Sequence, residues 1–278
     1  MLLRVGYTFA YDCVQPTPML HVLNIHYSRA ADIVVPDAMV AVPAVPVVGY
    51  RDGFGNWCTR LVAPAGAITL SADAVVRDSG APDAVSPGAR QHAVEDLPAD
   101  TLAFLLPSRY CETDLFTEIA WARFGGTAEG WARVQAICDF VHEWVTFGYA
   151  HARPTKTAWQ TYHERTGVCR DFTHLAVALC RSMNIPARYC TGYLSDIGTD
   201  TPPDQGDFAA WFEAYLDGGW HMFDPRNNVP RIGRVLIARG RDAADVPLSL
   251  TFGPNTLTGF HVWADAIDSA AAEQMAAR

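Results

Sequence analysis

The stretch "RTGVCRDFTHL" (Arg165–Leu175) sets a cysteine between a glycine and an apolar run of helical spacing. The run continues as "VCRDFTHLAVALCRSM", in which Leu175, Leu179 and Cys180 share one face and Cys169 occupies the first turn. Backbone N–H groups in a first turn have no helical partner, and the helix dipole is positive there. Both effects stabilise a thiolate and lower a cysteine pKa from its free value of about 8.5. The same N–H groups are placed to receive the oxyanion of a tetrahedral intermediate. Cys169 is therefore a candidate nucleophile, with the Cys169 N–H as one oxyanion donor. The competing reading is a small buried residue, a common fate for cysteine.

Upstream, "TAWQTYHERTG" opens with Thr157 and Gln160 at capping-box spacing and closes with Gly167 at a C′ position. Before it, Trp131, Val134, Cys138, Val141 and Val145 form one stripe of an amphipathic helix ending near Gly148, which assigns Cys138 to the core. His142 and His163 lie on these helices as solvent-facing or core-edge residues. No HExxH and no tight His/Asp/Glu cluster occurs, so no metal is expected.

Downstream, "IPARYCTGYL" reads as a strand and "SDIGTDTPPDQGD" as a loop. "FAAWFEAYLDGGWHMFDPRNN" then gives two strand-like runs about a Gly218–Gly219 turn. Asp224 ends the second run just before Pro225. The first hundred residues alternate with period two, as in Val5, Tyr7, Phe9 and Tyr11 or Ile68, Leu70, Ala72 and Ala74, and "RDGFGNW" is a turn signal. Residues 78–100 bring proline, glycine and small polar residues without periodicity, which reads as a linker open to proteolysis. The fold class expected is α+β, with an antiparallel β domain over residues 1–108 followed by an α+β domain over 109–278.

Composition narrows the function. The chain has 278 residues, half of them hydrophobic and 18% charged, with a net charge of −9. Its 21 cations are arginines except for Lys156, and no basic run occurs, which disfavours nucleic acid and anionic membrane as partners. Arg4, Gly6 and Thr8 interrupt the apolar start, and no segment approaches the roughly 20 apolar residues of a membrane helix. Seven scattered cysteines without a CxxC pair suit free thiols in a reducing compartment, so a cytoplasmic location is expected. Nothing marks an oligomer interface.

Three stretches, "GVCRDFTHLAVALCRSMNIPARYCTGYL", "AWFEAYLDGGWHMFDPRNN" and "GRDAADV", together resemble the transglutaminase-like superfamily. The resemblance, which also takes in the β-rich start and "LLPSRYCETD", spans nearly the whole chain. It implies a papain-like α+β core, Cys169 as nucleophile and Asp224 as the carboxylate that orients a base. It also implies acyl transfer or hydrolysis at a peptide or glutamine-type amide, with water or an amine as acceptor and no cofactor. A second oxyanion donor is expected from Trp159 or Gln160.

The pattern fails at the base. The family has His-Ala-Trp, and here the histidine position is Ala209 in "DFAAWFE". Alanine can neither take the thiol proton nor protonate a leaving amine. His174 is about 140° around the helix from Cys169. His221 falls on the opposite face of its strand from Asp224. Three explanations stand: a chain inactivated by a His→Ala substitution, a natural subgroup with another route to activation, and a catalytically dead member that binds a ligand. The cluster Arg226, Arg231, Arg234, Arg239 and Arg241 reads as a solvated, mutually paired strand face rather than an anionic-substrate site.

Overall fold

A computed structural model describes residues 1–199 and 207–277. The segment 200–206, within the loop expected between two strands, lies outside the described residues. The amino-terminal strands are β1 (Leu2–Cys13), β2 (Thr17–His21), β3 (Ile33–Val35), β4 (Val40–Val42), β5 (Val48–Arg51), β6 (Trp57–Ala63) and β7 (Gly66–Arg77). Next come α1 (Thr113–Phe124), α2 (Trp131–Trp144), β8 (Thr146–Phe147), α3 (Ala158–Glu164), β9 (Thr166–Gly167) and α4 (Cys169–Ser182). The chain continues through β10 (Ala187–Leu194), β11 (Ala209–Leu216), β12 (Gly219–Phe223) and β13 (Arg234–Gly240). Last are β14 (Leu250–Thr251), β15 (Asn255–Ile267) and α5 (Ser269–Ala276).

The period-two segments form two sheets, ordered β15-β1-β7-β3 (with β4 also on β7) and β14-β2-β6-β5. Both contain strands from the end of the chain. β15 runs antiparallel to β1 from Leu2↔Ile267 to Cys13↔Asn255, with one register shift. The carboxy-terminal strands thus complete the β layer, which corrects the boundary drawn at residue 108.

The helical half wraps α4 against an antiparallel sheet ordered β12-β11-β10-β13. Phe172, Leu175, Leu179 and Cys180 of α4 pack with Phe212, Ala214 and Phe223. The capping box at Thr157 and Gln160 forms as expected. The left-handed residue ending α3 is Arg165 (φ 54°), however, rather than Gly167. Gly167 is glycine for space: a Cβ there would stand 2.7 Å from the Asp171 Cβ.

The two halves share one core, in which Leu3, Tyr7 and Phe9 join Tyr189, Tyr193, Phe208 and Ile237. Residues 78–100 are an ordered strap rather than a loose linker. Asp83 exchanges bonds with the Arg231 backbone, the Ala89 carbonyl accepts from Trp131 N–H at 2.9 Å, and the Arg90 carbonyl accepts from Asp217 N–H at 2.8 Å. Gly130 has φ 86° and lies so close to the Ala89 carbonyl that any side chain would collide with it. Among the described residues no helix is long and apolar enough to cross a membrane, and no His/Cys/Asp/Glu group could hold a metal ion.

Candidate active site

Asp171 builds the start of α4. Its buried carboxylate accepts from the Val168 N–H at 3.0 Å and pairs with Arg170, which also donates to the Arg153 carbonyl. Two residues before it stands Cys169, half-buried, with its thiol 3.9 Å from the Phe208 carbonyl of the strand entering β11. The Ala210 and Arg170 N–H groups also reach the sulfur. Burial pushes the thiol up to about 12, Asp207 and Asp224 add to the rise, and the two N–H groups oppose it. The thiol is therefore protonated at neutral pH, not lowered as its place in the first turn suggests.

Asp224 is fully engaged. Its Oδ1 accepts from the Arg226 and Asn227 N–H groups at 3.1 and 3.0 Å. Its Oδ2 accepts from Asn227 Nδ2 at 2.7 Å and Arg234 Nη2 at 2.9 Å. Burial alone would raise this carboxyl, but Arg234 and Asn227 hold it below the ordinary range. Arg234 also pairs with Asp83 of the strap at 3.0 Å and lies over the Trp211 ring at 4.6 Å.

Ala209 sits at the start of β11 and packs with Cys190, Trp211, Leu236 and Met222. Alternation puts Phe208, Ala210 and Phe212 on the opposite face. Phe212 pairs with Phe223, so continuing the register sets Asp224 beside Trp211, on the face that carries Ala209. The structure thus brings Ala209 and Asp224 to one face, and sets Cys169 against the backbone one residue along.

Among the described residues, no histidine touches or perturbs the thiol. His174 is buried between the rings of Tyr110 and Tyr189 and accepts from the Ala243 N–H at 3.1 Å; burial drives its pKa well down. His163 meets Trp159 edge to face, as His221 meets Trp131, and His142 bonds the Arg226 carbonyl. The second oxyanion donor expected from Trp159 or Gln160 is corrected: their N–H groups already donate to Glu112 and Thr157. The N–H that acts on the sulfur from outside α4 is that of Ala210, and as a backbone donor in a strand it leaves no side-chain signal in the sequence. Arg231, Arg234, Arg239 and Arg241 are paired with carboxylates as expected, whereas Arg226 bonds Asn227 Oδ1 and lies over the Phe147 ring; Arg231 and Arg234 are buried rather than solvated.

The "GRDAADV" stretch is structural. Asp242 accepts from the Tyr110 and Ala244 N–H groups at 2.7 and 2.8 Å, and Arg181 of α4 donates to the Arg241 carbonyl at 2.6 Å. These bonds tie α4 to β13 and to the segment before α1.

Residues 120–225 match the family model described as the transglutaminase-like superfamily. A crystal structure of a protein from Cytophaga hutchinsonii, provisionally described as a cysteine protease, superposes with a TM-score of 0.83 at 32% identity, covering 97% of this chain and 91% of that one. The chain belongs to the transglutaminase-like superfamily. Among curated proteins, one of Mycobacterium leprae, described as uncharacterized, is 39% identical over 90 residues, which is 30% of this chain and 31% of that protein. One of Mycobacterium tuberculosis (strain H37Rv), likewise uncharacterized, is 36% identical over 95 residues, covering 30% and 29%. The match spans less than a third of each curated relative. This chain has Cys169 at a helix start, Asp224 after an apolar strand and alanine at position 209.

Proposed function

We propose that the chain carries an acyl-transfer site for carboxamides with Cys169 as nucleophile. The observation that carries this reading is the sulfur in the first turn of α4 with the Arg170 and Ala210 N–H groups directed at it. Attack by the Cys169 thiolate on a peptide or glutamine-type amide forms the S–C bond. The carbonyl oxygen takes the charge and accepts from the N–H groups of the first turn and of Ala210. Collapse breaks the C–N bond, and the amine takes its proton from water. Water or a second amine then resolves the thioester. With Ala209 at the base position, hydroxide removes the thiol proton, so the rate climbs with pH.

A second reading, ligand binding without turnover, is favoured by the Arg234–Asp224 pair and the protonated thiol. Intact-mass spectrometry with a glutamine-containing peptide separates the two. Acyl transfer requires a thioester on Cys169 that accumulates faster at about pH 9.5 than at about pH 7 and is absent from Cys169→Ala. Peptide binding with no adduct at either pH leaves the binding protein.

A further inference from the structure

On the face of the sheet turned away from α4, two guanidinium groups share one carboxylate. Arg188 Nε donates to Glu213 Oε2 at 2.6 Å, and Arg239 Nη2 donates to Glu213 Oε1 at 3.3 Å. Arg239 Nε lies 3.2 Å from Glu213 Oε2 but out of line, and it has no hydrogen-bond partner. Arg188 is flattened on the Trp220 ring at 3.9 Å. Both arginines line a cavity of about 360 Å³ with Tyr27, Phe54, Phe104 and Trp220. Phe104 stands edge-on to Trp220 at 5.3 Å and meets Phe54 at 6.1 Å. Asp100, exposed, lies on the rim.

The cavity has the size of a small-molecule site, roughly 300–1,000 Å³. The excess positive charge shows in its neighbours. Burial lowers Arg188 from its usual range, and Arg239 lowers it further against the pull of Glu213. Buried His26, beside Tyr27, is driven to about 4 by burial and then by Arg239, Arg188 and Arg51. One further negative charge relieves this repulsion. The four rings require that the rest of the ligand be flat and apolar. A phosphate, with its higher charge and no apolar body, would meet Glu213 and Asp100 without using the rings.

We propose that this cavity is a binding site for a small aromatic carboxylate, its carboxylate held by Arg188 and Arg239 and its ring set against Trp220 and Phe104. The site is independent of the acyl-transfer reading, since none of these residues takes part in it. Isothermal titration of the full chain with indole-3-carboxylate, indole-3-carboxamide and cyclohexanecarboxylate is the test. The aromatic acid is expected to bind saturably, with the amide and the cyclohexane acid each at least about tenfold weaker. Arg239→Gln is expected to lose about tenfold, and Cys169→Ala to bind unchanged. No saturable heat up to about 10 mM, or equal affinity for acid and amide, overturns the assignment. Should Arg239→Gln fail to fold, the acid–amide comparison on the unaltered chain decides.

Discussion

Arg234 holds Asp224 at 2.9 Å and spans to Asp83 at 3.0 Å, so one guanidinium ties the retained site carboxylate to the strap. A permanent cation thereby neutralises the buried Asp224 carboxylate. Arg234→Met strips the charge from between two carboxylates and leaves both without their cation. Removing one partner of a buried pair costs about 3–5 kcal/mol. Urea denaturation is expected to show a loss of that order, and a change below about 1 kcal/mol would mean that the pair is effectively solvated.

The strap gives a second expectation. Its bonds to Arg231, Trp131 and Asp217, and the return of β15 onto β1, leave no free joint between two independent halves. Limited proteolysis is expected to spare residues 78–100 in the intact chain. Asp83→Ala, which frees one end, is expected to expose that segment to cleavage. Early cutting there in the unaltered chain, yielding two folded fragments, would restore the linker reading.

What was legible in the sequence is what local spacing encodes. The α4 helix, the Thr157–Gln160 capping box, the alternation of β1 and β7 and the placement of Cys169 all follow from neighbours within a few residues. The β15–β1 pairing joins positions about 250 residues apart, and no local periodicity says which strand an edge will choose. The strap failed differently: its proline- and glycine-rich composition is that of a linker, while its order comes from tertiary bonds. Arg234 was visible as one of five arginines, but its choice of Asp224 depends on β13 pairing with β10 at the edge of the sheet.

Alkaline pH should weaken the fold. Burial pushes the Cys111 thiol up to about 12 and raises Cys138, Cys180 and Cys190 as well. In the unfolded chain these thiols ionise from about pH 8.5. Above that value the unfolded state binds fewer protons than the native one, so stability falls as pH rises. The contribution is fully present below about pH 8.5 and is withdrawn by about 1.4 kcal/mol per pH unit for each buried thiol. Tm measured from about pH 7.5 to about pH 10.5 is expected to fall, and Cys180→Val to make the fall shallower. A slope unchanged by Cys180→Val would show that this thiol is not the group responsible.

Cys169 itself should react slowly and with an unusual pH profile. A thiol held at about 12 is scarcely ionised at neutral pH, and its thiolate fraction grows tenfold per unit without levelling below pH 11. Iodoacetamide labelling followed by peptide mapping is expected to show that continued rise. A plateau near pH 9 would mean that desolvation does not govern the group.

Ala209→His tests the site as a whole. Residue 209 is one step along β11 from the Ala210 N–H that touches the sulfur, and it shares a face with Asp224. An imidazole there that reaches the thiol would form the ion pair that brings papain-type cysteines to about 3–4. Labelling of Cys169 at pH 6 is then expected to rise by more than about a hundredfold, with the other thiols unchanged. Asp224 should add little, because Arg234 and Asn227 already occupy its Oδ2. Ala209→His/Asp224→Asn is therefore expected to keep most of the gain while losing stability. If Ala209→His leaves the profile of Cys169 unaltered in a folded protein, the side chain at 209 stays packed with Trp211 and Met222, away from the sulfur. The face that carries Asp224 would then not be the face from which Cys169 is activated.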